Sequence, residues 1–528
     1  MKSRSYGWVK LLVFTFLFVQ IILPLCALAR HVAFKDVVSV FQSPQFLPML
    51  WNSVYSTTLA TAVSLVMALA ATWALCRTRI HHKGVFALLF TVPMLIPSIS
   101  HGMSLIMIFG DNGFFTNLTG FNIHLFGLTG IVMGATLYAF PTAFLMLSTS
   151  LQYEDYTTYE VAQVLGLTCW QRFLKISLPH MKKPLIATFF AIFTMVFTDY
   201  GVPLVVGGKM VTLPVYMYRE VVGLLDISKG GVLGLVLLFP ALLAFIVDLV
   251  NQEHSEIGMV GRPFVVHENH TRDRIAFLVS LLAAGVLLIP LGTFLVLCFV
   301  RQYPMDLSFS FNSLTDSFRL GVGRYLLNSL YIGFVAAFVG TIITYATAFI
   351  TARSRHGFSR MALHLISLLT LSVPGIVLGL TYVLLFKGSP IYGTFAILIG
   401  VNVIHFFASP YLMAYNVLLK FNKNLEGVCS TLGITPFQLL KDVFLPSTYG
   451  TVLEMFGYIF VNCMVTISAV SFLATFRNMP LALLISRFDS QALFGPVAVI
   501  SIMILVVNVV FKLLLYLLKK KLEKGVSL

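Results

Sequence analysis

Few residues in this chain have side chains that could do chemistry, and they lie scattered through apolar runs. Asp199 stands in Phe197-Thr198-Asp199-Tyr200-Gly201-Val202-Pro203, and the other ionisable groups in such runs are His101, His364, His405 and Glu454. A carboxylate inside a membrane marks a pathway or a relay. Beside Gly201 and Pro203 it can equally satisfy backbone N–H groups at a helix break. No nucleotide-binding GxxxxGK[ST] is present, no HExxH or GxSxG, and no pair of carboxylates on one helix face. Six cysteines (Cys26, Cys76, Cys169, Cys298, Cys429, Cys463) form no CxxC pair, so neither a disulfide framework nor a zinc site is expected. The expectation is therefore no catalytic residue, no metal site and no cofactor held by this chain.

Two polar loops share an internal spacing. The first reads Tyr159-Glu160-Val161-Ala162-Gln163-Val164-Leu165-Gly166, then Trp170, Phe173, Ile176 and Leu178-Pro179. The second reads Leu425-Glu426-Gly427-Val428-Cys429-Ser430-Thr431-Leu432-Gly433, then Phe437, Leu440, Val443 and Leu445-Pro446. Glycine to proline is 13 residues in both (166 to 179, 433 to 446). Large apolar residues at +4, +7 and +10 from each glycine lie on one helix face. Each loop therefore reads as two short helices joined at a glycine that can take positive φ. Counting on from each proline, the position matching Asp199 is Thr466, with Ser468 two residues further.

These loops lie between long apolar segments. Of 528 residues 58% are hydrophobic and 10% charged, against about 25% charged in soluble domains. Lipid is the solvent that suits such a chain. The +15 net charge sits in short clusters between apolar runs, which argues against a nucleic-acid partner. At about 20 residues per span, twelve segments are predicted, near 11–29, 52–76, 85–109, 125–149, 185–206, 231–250, 275–299, 327–352, 361–386, 393–419, 450–474 and 493–517. Every second loop is basic, which places both termini in the cytoplasm; Arg301, Arg319 and Arg324 lie in a long loop on the other side. The first span, with Ala27-Leu28-Ala29 at its end, is read as an uncleaved anchor because cleavage would leave an odd count.

The chain also repeats itself. Asn52-Ser53-Val54-Tyr55 returns as Asn328-Ser329-Leu330-Tyr331, and Arg77-Thr78-Arg79 as Arg353-Ser354-Arg355, both at an offset of 276 (52 to 328, 77 to 353). Pro97 with Gly102 matches Pro374 with Gly379, and Pro141 matches Pro410. Six spans per half give a parallel repeat with a pathway between the halves. The halves are 1–250 (core about 50–250) and 275–528 (core about 326–520). The polar stretch 251–274, with Gly258, Gly261 and Pro263, joins them as a cytoplasmic linker.

The two loops resemble the EAA motif of binding-protein-dependent ABC importer permeases, and the resemblance extends over the whole chain as two fused permease domains. Glu160, Ala162, Gly166, Ile176, Leu178 and Pro179 match the motif. The second copy is degenerate: Gly427 takes the glutamate position, Glu426 precedes it, Cys429 replaces an alanine, and Gly433, Leu445 and Pro446 match. The resemblance implies an all-α polytopic fold of about twelve transmembrane helices, in two homologous halves, in the bacterial inner membrane. It implies that these loop residues dock a cytoplasmic ATPase dimer, that ATP binds those partner subunits, and that an extracytoplasmic solute-binding protein delivers the cargo. The groups it resembles most import ferric iron, 2-aminoethylphosphonate or thiamine, so the cargo is a small polar solute, with phosphonate or ferric iron foremost. Asp199, Thr466 and Ser468 are the candidate pathway residues. The competing reading is an ion-coupled secondary carrier, for which the intramembrane ionisable groups are sparse.

Overall fold

The computed structural model describes residues 7–152, 154–252, 262, 264–354, 357–422 and 424–526. Gly258, Gly261 and Pro263 of the expected linker lie outside these, as does Arg355. Eight described helices are long and apolar enough to cross a membrane: Gly7–His31, Phe46–Cys76, Leu128–Gln152, Trp170–Phe197, Ile227–Val247, His270–Leu297, Val322–Arg353 and Phe494–Leu522. Three more expected spans are bent pairs: Lys83–Leu95 with Ser98–Thr119 at 98°, Phe358–Ser372 with Gly375–Phe386 at 110°, and Phe395–His405 with Ala408–Leu419 at 51°. The remaining segment, expected at 450–474, is helical from Leu445 to Val465 and then leaves the helix.

Proline explains where the two sharpest breaks fall. Pro97 and Pro374 have extended ψ values of 150° and 140° and stand immediately before a helix. A proline there donates no hydrogen bond and its ring would clash with a preceding helical turn. They are ends of broken spans, not kinks within continuous ones. Pro141, by contrast, stays inside the unbroken helix Leu128–Gln152, whereas its counterpart Pro410 opens a new helix after a break.

The second and eighth spans explain how the bundle packs. Their buried faces are small or hydroxylated: Ser53, Ser56, Thr57, Ala60, Ser64, Ala68 and Ala71 on one, Ser329, Gly333, Ala336, Ala337, Gly340 and Thr344 on the other. Their large apolar residues, such as Trp51, Val66, Leu327 and Phe334, point outward. Lipid is as apolar as leucine, so helices in a membrane associate through close backbone approach and interhelical hydrogen bonds. Gly340 shows the fit: a side chain there would come within 2.9 Å of Ile459.

The repeated Asn-Ser pair has a defined task. Leu213 N–H donates to Ser53 Oγ at 2.7 Å, and Asn52 Nδ2 donates to Val211 C=O at 3.1 Å. In the second half Leu481 N–H donates to Ser329 Oγ at 2.7 Å, and Asn328 Nδ2 to Met479 C=O at 3.1 Å. Each pair pins the non-helical chain that follows the fifth or eleventh span.

The first span of each half packs on the opposite half. Gly7–His31 lies against Val322–Arg353 and Gly375–Phe386, where Tyr382 donates to Gln20 Oε1 at 2.5 Å. His270–Leu297 lies against Phe46–Cys76 and the third span, with Phe277 edge-on to Phe86 at 5.6 Å. His270–Leu297 runs from Arg79, whose N–H donates to Asp273, to the region of Tyr303. There the Tyr303 ring meets Phe494, and the helix begun at Phe494 runs back to a Lys519–Glu454 ion pair at 2.6 Å. Arg79 neighbours the first loop and Glu454 the second, so both loops lie at one end of the bundle.

Removing the Ser53 or Ser329 hydroxyl leaves a buried backbone N–H without its acceptor, which costs about 1–3 kcal/mol. Ser53→Ala and Ser329→Ala should each lower the thermal unfolding temperature of the detergent-solubilised protein. A drop in only one of them would show that the repeat is not mechanically equivalent.

Candidate translocation cavity and coupling loops

Between the halves is a cavity of about 720 Å³. Its walls come from the broken spans: Ser98 beside Pro97, Ser372 and Gly375 beside Pro374, and the ends of the fifth and eleventh spans at Asp199 and Thr466–Ser468. Backbone that leaves helical geometry at membrane depth is tolerated where it lines a cavity. All three residues singled out as pathway candidates, Asp199, Thr466 and Ser468, line this one space.

Asp199 meets both roles considered for it. Its Oδ1 accepts from Ser98 Oγ at 2.6 Å, and its Oδ2 accepts from Val202 N–H at 3.0 Å, the first turn of the short helix Gly201–Val206. It thus closes a helix break and also faces the cavity. The breaks meet tightly there. A side chain on Gly201 would lie 2.5 Å from Ser98 Oγ and 2.8 Å from Ile467, and one on Gly375 would strike the Ser468 hydroxyl. In one half the third span supplies the hydroxyl and the fifth the glycine; in the other half the roles are exchanged. From this meeting point the lining continues through Thr194, Ala191 and Ala187 of the fifth span and Met146 of the fourth, toward the loop end. Among the described residues lining the cavity, Asp199 is the single carboxylate, and no lysine or arginine lines it. Tyr138, Tyr458, Asn462 and Ser409 also line it. Sequence reading passed over these, because a tyrosine in an apolar run looks like core; the matched prolines at the breaks were the available signal. His101 is buried beside Tyr138 and does not line the cavity, whereas His405 does. No group of three or more His, Cys, Asp or Glu able to hold a metal occurs among the described residues.

The loops have the expected geometry. Thr157–Val164 and Leu425–Thr431 are short helices, and each ends at a glycine with positive φ, +71° at Gly166 and +69° at Gly433. Neither glycine would meet anything within 4 Å if given a side chain, so the backbone conformation, not space, requires them. Leu178-Pro179 and Leu445-Pro446 begin the next span after one wide π turn each, Phe173–Ser177 and Leu440–Phe444. That turn accommodates a proline that cannot donate its own bond. Ala162 is buried, but large apolar side chains stand out in water: Val164 is 88% exposed, Trp170 67%, Leu432 69% and Phe437 71%.

The repeated arginines fasten the loops. Arg77 is paired with buried Glu154 and stacks over the Phe264 ring at 3.7 Å. Glu154 also accepts from the Tyr159 hydroxyl at 2.8 Å. Partial burial, with the Glu154 carboxylate alongside, pushes the Tyr159 phenol up to about 12, so it remains a donor. Arg353 grips Glu426 with two bonds of 2.5 and 2.6 Å and also donates to the Phe421 and Asn422 carbonyls. Glu426 is thus the counterpart of Glu154, an internal anchor whose carboxylate is already engaged, and not of Glu160. Glu160 projects outward, with Arg262 at 3.4 Å.

A helical bundle built from a repeated unit, a central cavity and a pair of matched loops at one end define a membrane permease. The chain matches the family described as binding-protein-dependent transport system inner membrane component over residues 82–252 and 344–524, and it belongs to that family. It is 25% identical over 502 residues to a ferric transport system permease protein of Actinobacillus pleuropneumoniae, covering 89% of this chain and 71% of that one. It is 23% identical over 525 residues to an Fe(3+)-transport system permease protein of Haemophilus influenzae, covering 96% and 97%. A thiamine transport system permease protein of Haemophilus influenzae is 26% identical over 35% of this chain and 36% of its own length. The chain is the transmembrane permease subunit of an ATP-driven importer, a multi-pass inner-membrane protein. Family membership sets aside the ion-coupled carrier.

Breaking the Arg353–Glu426 pair should cost toward the low end of about 3–5 kcal/mol, because Glu426 keeps some solvent contact. Arg353→Glu and Glu426→Arg should each loosen the second loop, seen as faster proteolysis there. The double exchange should restore protection in part; no recovery would mean the pair is incidental.

Proposed function

We propose that this permease imports ferric iron. The observation that carries the reading is the set of ionisable groups lining the cavity: one carboxylate and one histidine, with no lysine or arginine. At an effective dielectric of about 20, unit charges about 4 Å apart interact by about 4 kcal/mol. That term attracts a cation to Asp199 and repels a phosphonate, sulfate or other oxyanion, which would find no compensating lysine or arginine. The ferric names of the two relatives aligned over most of this chain agree with this sign. A single carboxylate also suits passage, since a conducted ion must bind well enough to enter and weakly enough to leave.

The loops carry the energy input in this reading. Exposed Val164, Trp170, Leu432 and Phe437 form apolar patches that a partner would cover, and we assign that partner as a cytoplasmic ATPase dimer. ATP binds those partner subunits, and this chain catalyses no reaction. Glu160, Ala162, Gly166, Leu178 and Pro179 form the first docking element, and Gly433, Leu445 and Pro446 the second, with Glu426 fixing the second from inside. Both termini lie on the ATPase side, and an extracytoplasmic binding protein delivers cargo at the opposite end. Closure of the ATPase pulls on the loops, and Arg77 and Arg353 pass the motion to the second and eighth spans that wall the bundle.

Gly166→Asn, which tolerates positive φ, should retain most iron uptake in cells carrying the whole transporter. Gly166→Val, which does not, should lose at least tenfold. Gly166→Asp and Gly433→Asp together should abolish co-purification of the ATPase from mild detergent. Normal ATP-dependent uptake by that double variant would end the coupling assignment.

A further inference from the structure

The oxygen donors around the cavity do not follow the internal repeat. Asp199 is matched by Thr466. Tyr138, three residues before Pro141, is matched by Phe407, three before Pro410. Tyr458, twelve residues after Pro446, is matched by Ala191, twelve after Pro179. Duplication alone would have produced pairs. Instead one carboxylate and two phenols, drawn from both halves, face a single space, and Tyr138 lies within electrostatic range of both Asp199 and Tyr458. Asp199 accepts from Ser98 Oγ and the Val202 N–H, with the Gly201 N–H alongside, and a carboxylate has about four lone-pair sites. The Tyr458 hydroxyl donates to Ser409 at 3.1 Å, which orients it and leaves its oxygen free to accept.

We propose that Asp199, Tyr138 and Tyr458 form a transit site for a hard trivalent cation, the step in the permease at which cargo is selected by charge. The proposal rests on the iron-import reading and names the residues that would enforce it. Carboxylate and phenol oxygens are hard donors and favour hard cations over soft ones. Asp199 supplies the carboxylate, which a bound cation would hold in its ionised form. A phenol that coordinates directly gives up its proton to cavity water, so binding releases one proton for each tyrosine engaged. The open space around these groups leaves the other coordination positions to water, as a passing ion requires.

The test uses the full chain in nanodiscs and Tb³⁺, a hard trivalent cation that does not change oxidation state and emits when excited through a nearby tyrosine. Excess Ca²⁺ occupies exposed carboxylates. Saturable sensitised emission is expected from the unaltered chain. Asp199→Asn should weaken Tb³⁺ affinity at least tenfold, and Tyr138→Phe with Tyr458→Phe should cut the sensitised emission at saturation at least threefold. In cells with the whole transporter, Asp199→Asn should lower radioactive iron uptake at least tenfold while the ATPase still co-purifies. Should Asp199→Asn fail to fold, the double tyrosine variant carries the same test. Unchanged Tb³⁺ affinity in Asp199→Asn, or unchanged iron uptake, overturns the site and leaves the import reading standing. Tb³⁺ binding that depends on Asp199, in a transporter that takes up no iron, upholds the cation site and removes iron as the cargo.

Discussion

In hydrocarbon every backbone N–H and C=O needs a partner within the protein, at a cost of several kcal/mol for each one left over. A membrane chain can therefore leave helical geometry only where something else takes up the freed groups. Here the departures converge. The breaks at Pro97 and Pro374 meet those at Asp199 and Thr466, and the cavity lies where they meet. Ser98 and Val202 satisfy Asp199, Ser53 and Ser329 accept the N–H groups of the returning chain, and Asn52 and Asn328 cover its carbonyls. The polar groups that make a pathway are the same ones that make the broken backbone affordable.

Much of this was readable from residue type and spacing. The glycines of the loops appeared as glycines at a fixed distance from Leu-Pro, and they do adopt positive φ. The repeat announced itself through Asn-Ser and through the arginines at 77 and 353, which make buried hydrogen bonds and ion pairs. Other features left no trace. A proline marks a break but not its angle, so the bends of 98° and 110° could not be foreseen. The exchange of first spans was hidden because a helix face that meets lipid and one that meets another helix are both apolar. Glu154 lies outside any motif, so the partner of Arg77 could not be named, and nothing in the spacing told that Arg353 engages the Glu426 carboxylate.

The halves are alike in frame and different in fittings. Each arginine holds a carboxylate and an aromatic ring, yet the ring is Phe264, from the joining segment, in one half and Phe444, from the loop's own helix, in the other. The first loop is therefore tied to the connection between the halves as well as to the second span, and the second loop to the eighth span through Arg353. Ser98 with Gly201, against Gly375 with Ser468, shows the same habit at the cavity: each contact holds one hydroxyl against a glycine, carried by opposite spans in the two halves.

The exchange of first spans bears on how the protein is made. Gly7–His31 finds its neighbours on Val322–Arg353 and Gly375–Phe386, about 350 residues later in the chain. At about 5–20 residues per second of synthesis, that helix waits roughly 20–70 s in the bilayer before its partner exists. During that interval Gln20, which ends up against Tyr382, faces lipid or a borrowed neighbour. The eighth and ninth spans complete the packing of the first, so the first span has its neighbours only once synthesis has passed Phe386.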